Sequence, residues 1–189
     1  MANPNSIFGA RITSSFGLSP FSGKVHPYTV VATDATALFY GDIVKHTGTS
    51  AAGSDNVEHP VVTQAGVGDL PLGIVVGFLP DPDNLNRIYR TASTLRTVYV
   101  CDDPYVEFEM QANAAVVAAD IGLNADITVG TGSPYTGLSG MQVDMATKGA
   151  GSAQIRLVNL VIRSDNEFGA YAKLQCIFNE HFYKQTSGV

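Results

Sequence analysis

Charge is scarce in this chain: Asp, Glu, Lys and Arg make up 15% of 189 residues, against the usual quarter or so of a soluble domain. Eleven residues are Lys or Arg and seventeen are Asp or Glu, for a formal net charge of −6. A protein that coats phosphates with cations needs the opposite balance, so nucleic acid is not an expected partner. Long apolar runs are also missing. The longest, residues 72–79 and 157–162, are strand-sized and fall well short of the roughly 18 residues that cross a membrane as a helix. The opening MANPNSIFGARI has no basic region followed by an apolar stretch, so no secretion signal is expected. Cysteine is limited to Cys101 and Cys176, each inside an apolar strand-like run (TVYVC and LQCIF) with no Cys or His nearby at metal-ligand spacing. In a chain made in a cytoplasm-like compartment these read as two buried, reduced thiols.

Chemistry-bearing motifs are equally thin. His26, His46, His59 and His181 form no HxH or HExxH pair, so no zinc site is expected. The string Gly137-Leu138-Ser139-Gly140 misses the spacing of a serine-hydrolase elbow. No phosphate-binding glycine loop occurs, and Gly130 and Gly132, with Gly137 beyond them, lack a third glycine at the dinucleotide spacing and a following helix. Two acidic turns, Asp81/Asp83 and Asp102/Asp103, would suit a divalent cation if they met at one rim. The plainer reading is Asp shaping turns beside Pro82 and Pro104. The expectation is therefore no catalytic residue, no metal, no cofactor and no enzyme.

What the chain does have is apolar content of 45%, enough to bury a core, and many short β-type runs separated by turn clusters. Strands are expected at 28–33, 57–63, 72–79, 96–101, 105–110, 153–163 and 171–183, with a flexible loop at 46–56. Gly73 and Gly77 in the most apolar run point to a bulge or a close backbone approach. Residues 102–104 read as a hairpin connection, and Val106, Phe108 and Met110 alternate with Glu107 and Glu109 as a strand with one wet face. In 153–163 the alternation slips between Leu157 and Leu160, which calls for a bulge or a crossing between sheets. Only 113–120 has helical composition. No internal repeat of fixed period is visible. The expected fold is all-β: a compact barrel with one short helix, or a jelly-roll sandwich.

Residues 1–26 are rich in Asn, Ser, Gly and Pro and carry isolated Ile7, Phe8, Phe16 and Phe21. That pattern reads as an extended arm, docking either on its own barrel or on a neighbouring subunit, ahead of a single β domain at 27–189. Ile7, Phe8, Phe16 and Phe21, with Arg11 as a polar anchor, are its candidate contacts. A second candidate interface is the cluster Arg87, Tyr89, Arg90 and Arg96, since Arg is favoured at interfaces. Its alternative is a strand face whose Arg residues pair with acidic turns.

The strings ATDATALFYGDIVKHTGT, PLGIVVGFLPDPDNLNRIYRTAST, VYVCDDPYVEFEMQ, GLNADI and RSDNEFGAYAKLQCIFNEH resemble the head decoration, or cement, proteins of tailed bacteriophages, from about Asp34 to His181. The rhythm of Gly41–Lys45 and Gly73–Gly77 is similar to the β-tulip barrels of that group. The resemblance implies a virion structural protein on the outer surface of an icosahedral capsid, clamping neighbouring major capsid subunits. It also implies self-association, as a homotrimer ahead of a dimer, with no nucleic-acid or membrane partner. A tail- or fibre-associated host-recognition module is the alternative.

Overall fold

The protein is all-β with two sheets; the structure, a computed structural model, describes residues 3–15 and 19–184. Twelve strands follow in order: β1 (Arg11–Ser15), β2 (Ser19–Pro20), β3 (His26–Val30), β4 (Ile43–Ala52), β5 (Glu58–Gln64), β6 (Gly73–Phe78), β7 (Arg96–Cys101), β8 (Val106–Gln111), β9 (Asn124–Thr128), β10 (Gln142–Asp144), β11 (Ile155–Leu160) and β12 (Lys173–Phe178). Seven form one sheet in the order β10-β9-β11-β12-β8-β1-β2. The other five pair as β3-β5-β4-β6-β7, and β7 returns to β3. In this second sheet β3 and β5 run parallel at Thr29↔Val61, while the remaining pairs are antiparallel.

Side-chain alternation assigns each face to a core. In β6, Val75 turns inward with Tyr28, Val30, Val44, Val98 and Val100, while Ile74 turns outward and joins Phe108, Met110, Ile155 and Phe178 of the first sheet. Both faces of β6 are thus buried, which is why its sequence is a continuous apolar run. Gly73 sits where a Cβ would lie 2.3 Å from the backbone oxygen of Cys101. Gly77 follows a register shift between β6 and β7, so a close approach and a bulge both occur in this strand. Gly73→Ala is expected to lower stability by about 2 kcal/mol, because backbone must move to admit one methyl. A chemical denaturation midpoint equal to that of the parent would refute the contact.

Four expectations are corrected. The 46–56 segment is a turn only at 53–56: β4 runs through Ala52 and pairs with β5 at Ser50↔Pro60, Ala51↔His59 and Ala52↔Glu58. Its small polar residues reflect a hairpin wet on both faces, which composition cannot tell from a loop. The 113–120 segment forms only a 3-10 turn at Ala118–Asp120, because Asn113 bonds to Val143 and Val116 to Gly169 across the sheet. Residues 102–104 do not join a hairpin: β7 pairs with β3 and β6, β8 with β1 and β12, so the connection crosses from one sheet to the other. Finally, β8 has no wet face. All six of its residues are buried, since Glu107 and Glu109 are covered by β1, by Gln175 and by Arg163. The slip in β11 is a bulge between Leu157 and Asn159, as its pattern implied.

Candidate functional site

The arm lies on its own molecule. Residues Arg11, Ile12, Ser14 and Ser15 pair with Glu109, Phe108, Glu107 and Val106 of β8, making β1 a strand of the seven-stranded sheet. Phe8 is buried, with the Arg11 guanidinium 4.4 Å over its ring, and Arg11 bonds Glu109 at 3.0 Å. Phe21 packs against the larger core, Ile7 is exposed, and Phe16 lies outside the described residues. Phe8 and Arg11 are thus satisfied in cis, and of the described arm contacts Ile7 and the half-exposed Arg11 side chain face solvent.

The arginine cluster is likewise spoken for. Arg90 is wholly buried and donates to the carbonyls of Thr94 (3.0 Å), Val31 (2.9 Å), Asp34 (2.8 Å) and Thr36. Arg96, also buried, and Arg87 converge on Asp81 at 3.2 and 2.9 Å. Tyr89 stacks on Phe39 at 4.8 Å. Arg90 and Arg96 therefore cannot meet a partner as proposed from sequence, and the pairing of Arg with an acidic turn is what occurs. The acidic turns are apart: Asp81 pairs with Arg96 at the start of β7 and Asp102 follows its end, roughly 20 Å away at strand rise.

The histidines divide by setting. His59 Nε2 meets Asp55 at 2.8 Å, His46 stacks against Phe182, and buried His181 lies between Phe178 and Tyr183. Ser139 is buried and its hydroxyl accepts from the Met141 N–H. Both thiols are free and buried; burial pushes Cys101 up to about 11 and Cys176 higher still.

One feature that sequence reading missed is a cleft of about 630 Å³ between the start of β3, Pro60 of β5, the 102–104 connection and Tyr183. His26 Nδ1 meets Asp102 at 2.8 Å. The Tyr28 hydroxyl donates to the other carboxylate oxygen at 2.7 Å and lies 3.2 Å from the Tyr183 hydroxyl. Burial, then the bonds to Tyr183 and Asp102, push the Tyr28 phenol far up, so it stays a donor. Prolines 27, 60 and 104 and Lys24 complete the walls. Among the described residues the lining holds no Ser, Thr or Cys beside the His–Asp pair; it sets fixed donors and acceptors between apolar walls. Its sequence traces were His26 as an isolated histidine and the acidic turn Asp102/Asp103, with nothing to join them.

A second surface is apolar. Leu85 (78% exposed), Ile88, Tyr40 and Tyr135 (96% exposed) sit on loops that touch. Gly137 lies against the Ile88 side chain, and its carbonyl accepts from the Tyr40 N–H at 2.9 Å.

Comparison of the chain with protein-family models, with curated proteins and with solved structures yields no match in any of the three.

Proposed function

We propose that the chain is a non-enzymatic virion structural protein that binds the outer surface of an icosahedral phage capsid and clamps neighbouring major capsid subunits. The observation that carries this reading is the apolar surface of Leu85, Ile88, Tyr40 and Tyr135. Large apolar side chains exposed on three touching segments are a feature of protein-binding surfaces. The net charge of −6 supports a protein rather than a nucleic-acid partner. The β-tulip-like barrel belongs to the same proposal: the return of β7 to β3 favours it over a jelly-roll sandwich. Self-association, as a trimer ahead of a dimer, would let one particle hold several capsid subunits, so that modest contacts sum to firm attachment.

The test is co-sedimentation of the purified protein with expanded shells that lack it, counting bound copies at saturation. Saturation at the number of three-fold or two-fold sites is expected, and Leu85→Asp with Tyr135→Asp should cut occupancy at least tenfold. A folded protein that leaves the shells bare would overturn the capsid reading in favour of a tail or fibre module.

A further inference from the structure

The two halves of the chain have one topology. Strands β3 to β7 pair as first-third-second-fourth-fifth and back to the first, with first and third parallel. Strands β8 to β12 do the same: β8-β12-β11-β9-β10, with β10 returning to the end of β8 through a parallel bridge at Ala112↔Val143. The registers agree residue by residue. Val75↔Val100, Gly77↔Tyr99 and Phe78↔Val98 correspond to Leu157↔Cys176, Asn159↔Gln175 and Leu160↔Leu174, and each set spans a bulge at the same step. Bonds outside the ladders agree too. Gly41 N–H donates to Val75 and Gly122 N–H to Leu157, both at 2.8 Å, and the two glycines have φ of 87° and 91°. Leu79 donates to Thr97 and Val161 to Lys173, both at 3.0 Å. Side chains at matched positions differ, so the repeat is invisible to a search for sequence period.

The match sets His26 and Pro27 against Phe108 and Glu109, because His26↔Val100 and Pro27↔Tyr99 take the registers of Phe108↔Cys176 and Glu109↔Gln175. In the second unit the edge of β8 that faces away from β12 is covered by β1, which pairs with residues 106–109. The matching edge of the first unit faces away from β7 at residues 24–27. Lys24, His26 and Pro27 of that edge line the 630 Å³ cleft, with Pro60 of β5 opposite. Pro27 and Pro60 lack the N–H that would let β3 and β5 zip together there, and the two strands pair only at Thr29↔Val61.

We propose that this cleft is the counterpart of the seam that β1 fills, and that it takes an extended segment of the major capsid subunit laid along β3. The proposal rests on the capsid reading above. Each molecule has two such seams and one arm, and the arm is already paired in cis; a second copy's arm would leave its own seam bare. No other segment among the described residues is placed to fill the seam, and its occupant is assigned to a different chain. Asp102 and Asp103 at the cleft fit a basic side chain on that segment, as Glu109 accepts Arg11 in the filled seam.

The experiment replaces exposed Lys24 by Cys (K24C) and couples it to a bulky maleimide photo-crosslinker; the native thiols are buried. Ser152→Cys, in the exposed turn before β11, carries the same label as control. Unlabelled K24C should bind empty shells as the parent does. Labelling position 24 should lower occupancy at least tenfold, and label at position 152 should not. Irradiating shells at high protein concentration should join position 24 to one short capsid segment bearing Lys or Arg. Full occupancy with the label in place, or crosslinks scattered over the shell, would overturn the cleft assignment while leaving the capsid reading standing. Unlabelled protein that fails to bind would remove the capsid reading itself, and this proposal with it.

Discussion

Arg90→Met is expected to cost 3–5 kcal/mol or more, a large part of the roughly 5–15 kcal/mol that holds a domain folded. The guanidinium reaches four backbone carbonyls, of Val31, Asp34, Thr36 and Thr94, from a site with no solvent exposure. These carbonyls belong to the chain leaving β3 and to the turn before β7, where no ladder supplies donors. Methionine fills similar volume but donates nothing: the Thr36 and Thr94 carbonyls lose their donor, and those of Val31 and Asp34 are left with the single N–H groups of Asp34 and Ser93. Arg90→Lys should recover only part of the loss, since one ammonium cannot span the fork. Arg87→Ala should cost under about 1 kcal/mol, because Arg96 still reaches Asp81 and Arg87 is partly solvated. Urea denaturation of the three variants gives the order. An Arg90→Met protein within about 1 kcal/mol of the parent would show that water replaces the side chain.

This residue also marks the limit of what the sequence discloses. Arg87, Arg90 and Arg96 form one cluster in the sequence, and nothing there tells a solvent-facing arginine from one that replaces a missing ladder. The difference arises from the fold, which turns Arg90 inward against carbonyls some 55 residues away along the chain. Elements with their own local signal were legible: the apolar runs of β6, β7 and β12, the bulge of β11 and the β1 arm as an extended segment. Elements defined by a distant partner were not. The wet-face reading of β8 failed because its cover, β1, comes from about 95 residues earlier. The cleft was invisible because its walls come from four places in the chain and its polar pair, His26 and Asp102, from the two ends of one unit. The repeat was invisible because hydrogen-bond register survives where side-chain identity does not.

Asp42 and His181 should give the protein a flat stability profile between pH 4 and 6.5 that either substitution breaks. Asp42 is buried, and desolvation pushes its carboxyl from 3.8 up to about 6, despite the Phe39 N–H at 2.8 Å and Gln64 at 3.3 Å. The folded state therefore holds this proton more tightly than the unfolded chain. Its contribution is full below pH 4 and is lost as pH rises through 6, a change of about 3 kcal/mol. His181 works the other way. Burial pushes its imidazole from 6.5 down to about 4, so its contribution is full above pH 6.5 and is lost as pH falls towards 4, again by about 3 kcal/mol. The carboxylates of Asp55, Asp69, Asp81 and Asp120 are held low, so their losses fall below this window. Asp42→Asn should leave the histidine term alone, making the protein about 2–3 kcal/mol less stable at pH 4.5 than at pH 7. His181→Phe, which keeps a ring between Phe178 and Tyr183, should reverse the slope. Urea midpoints from pH 4 to 7.5 read both slopes without depending on the absolute cost of either substitution. An Asp42→Asn profile parallel to the parent's would mean that water reaches the carboxylate in the native state, and the compensation would not exist.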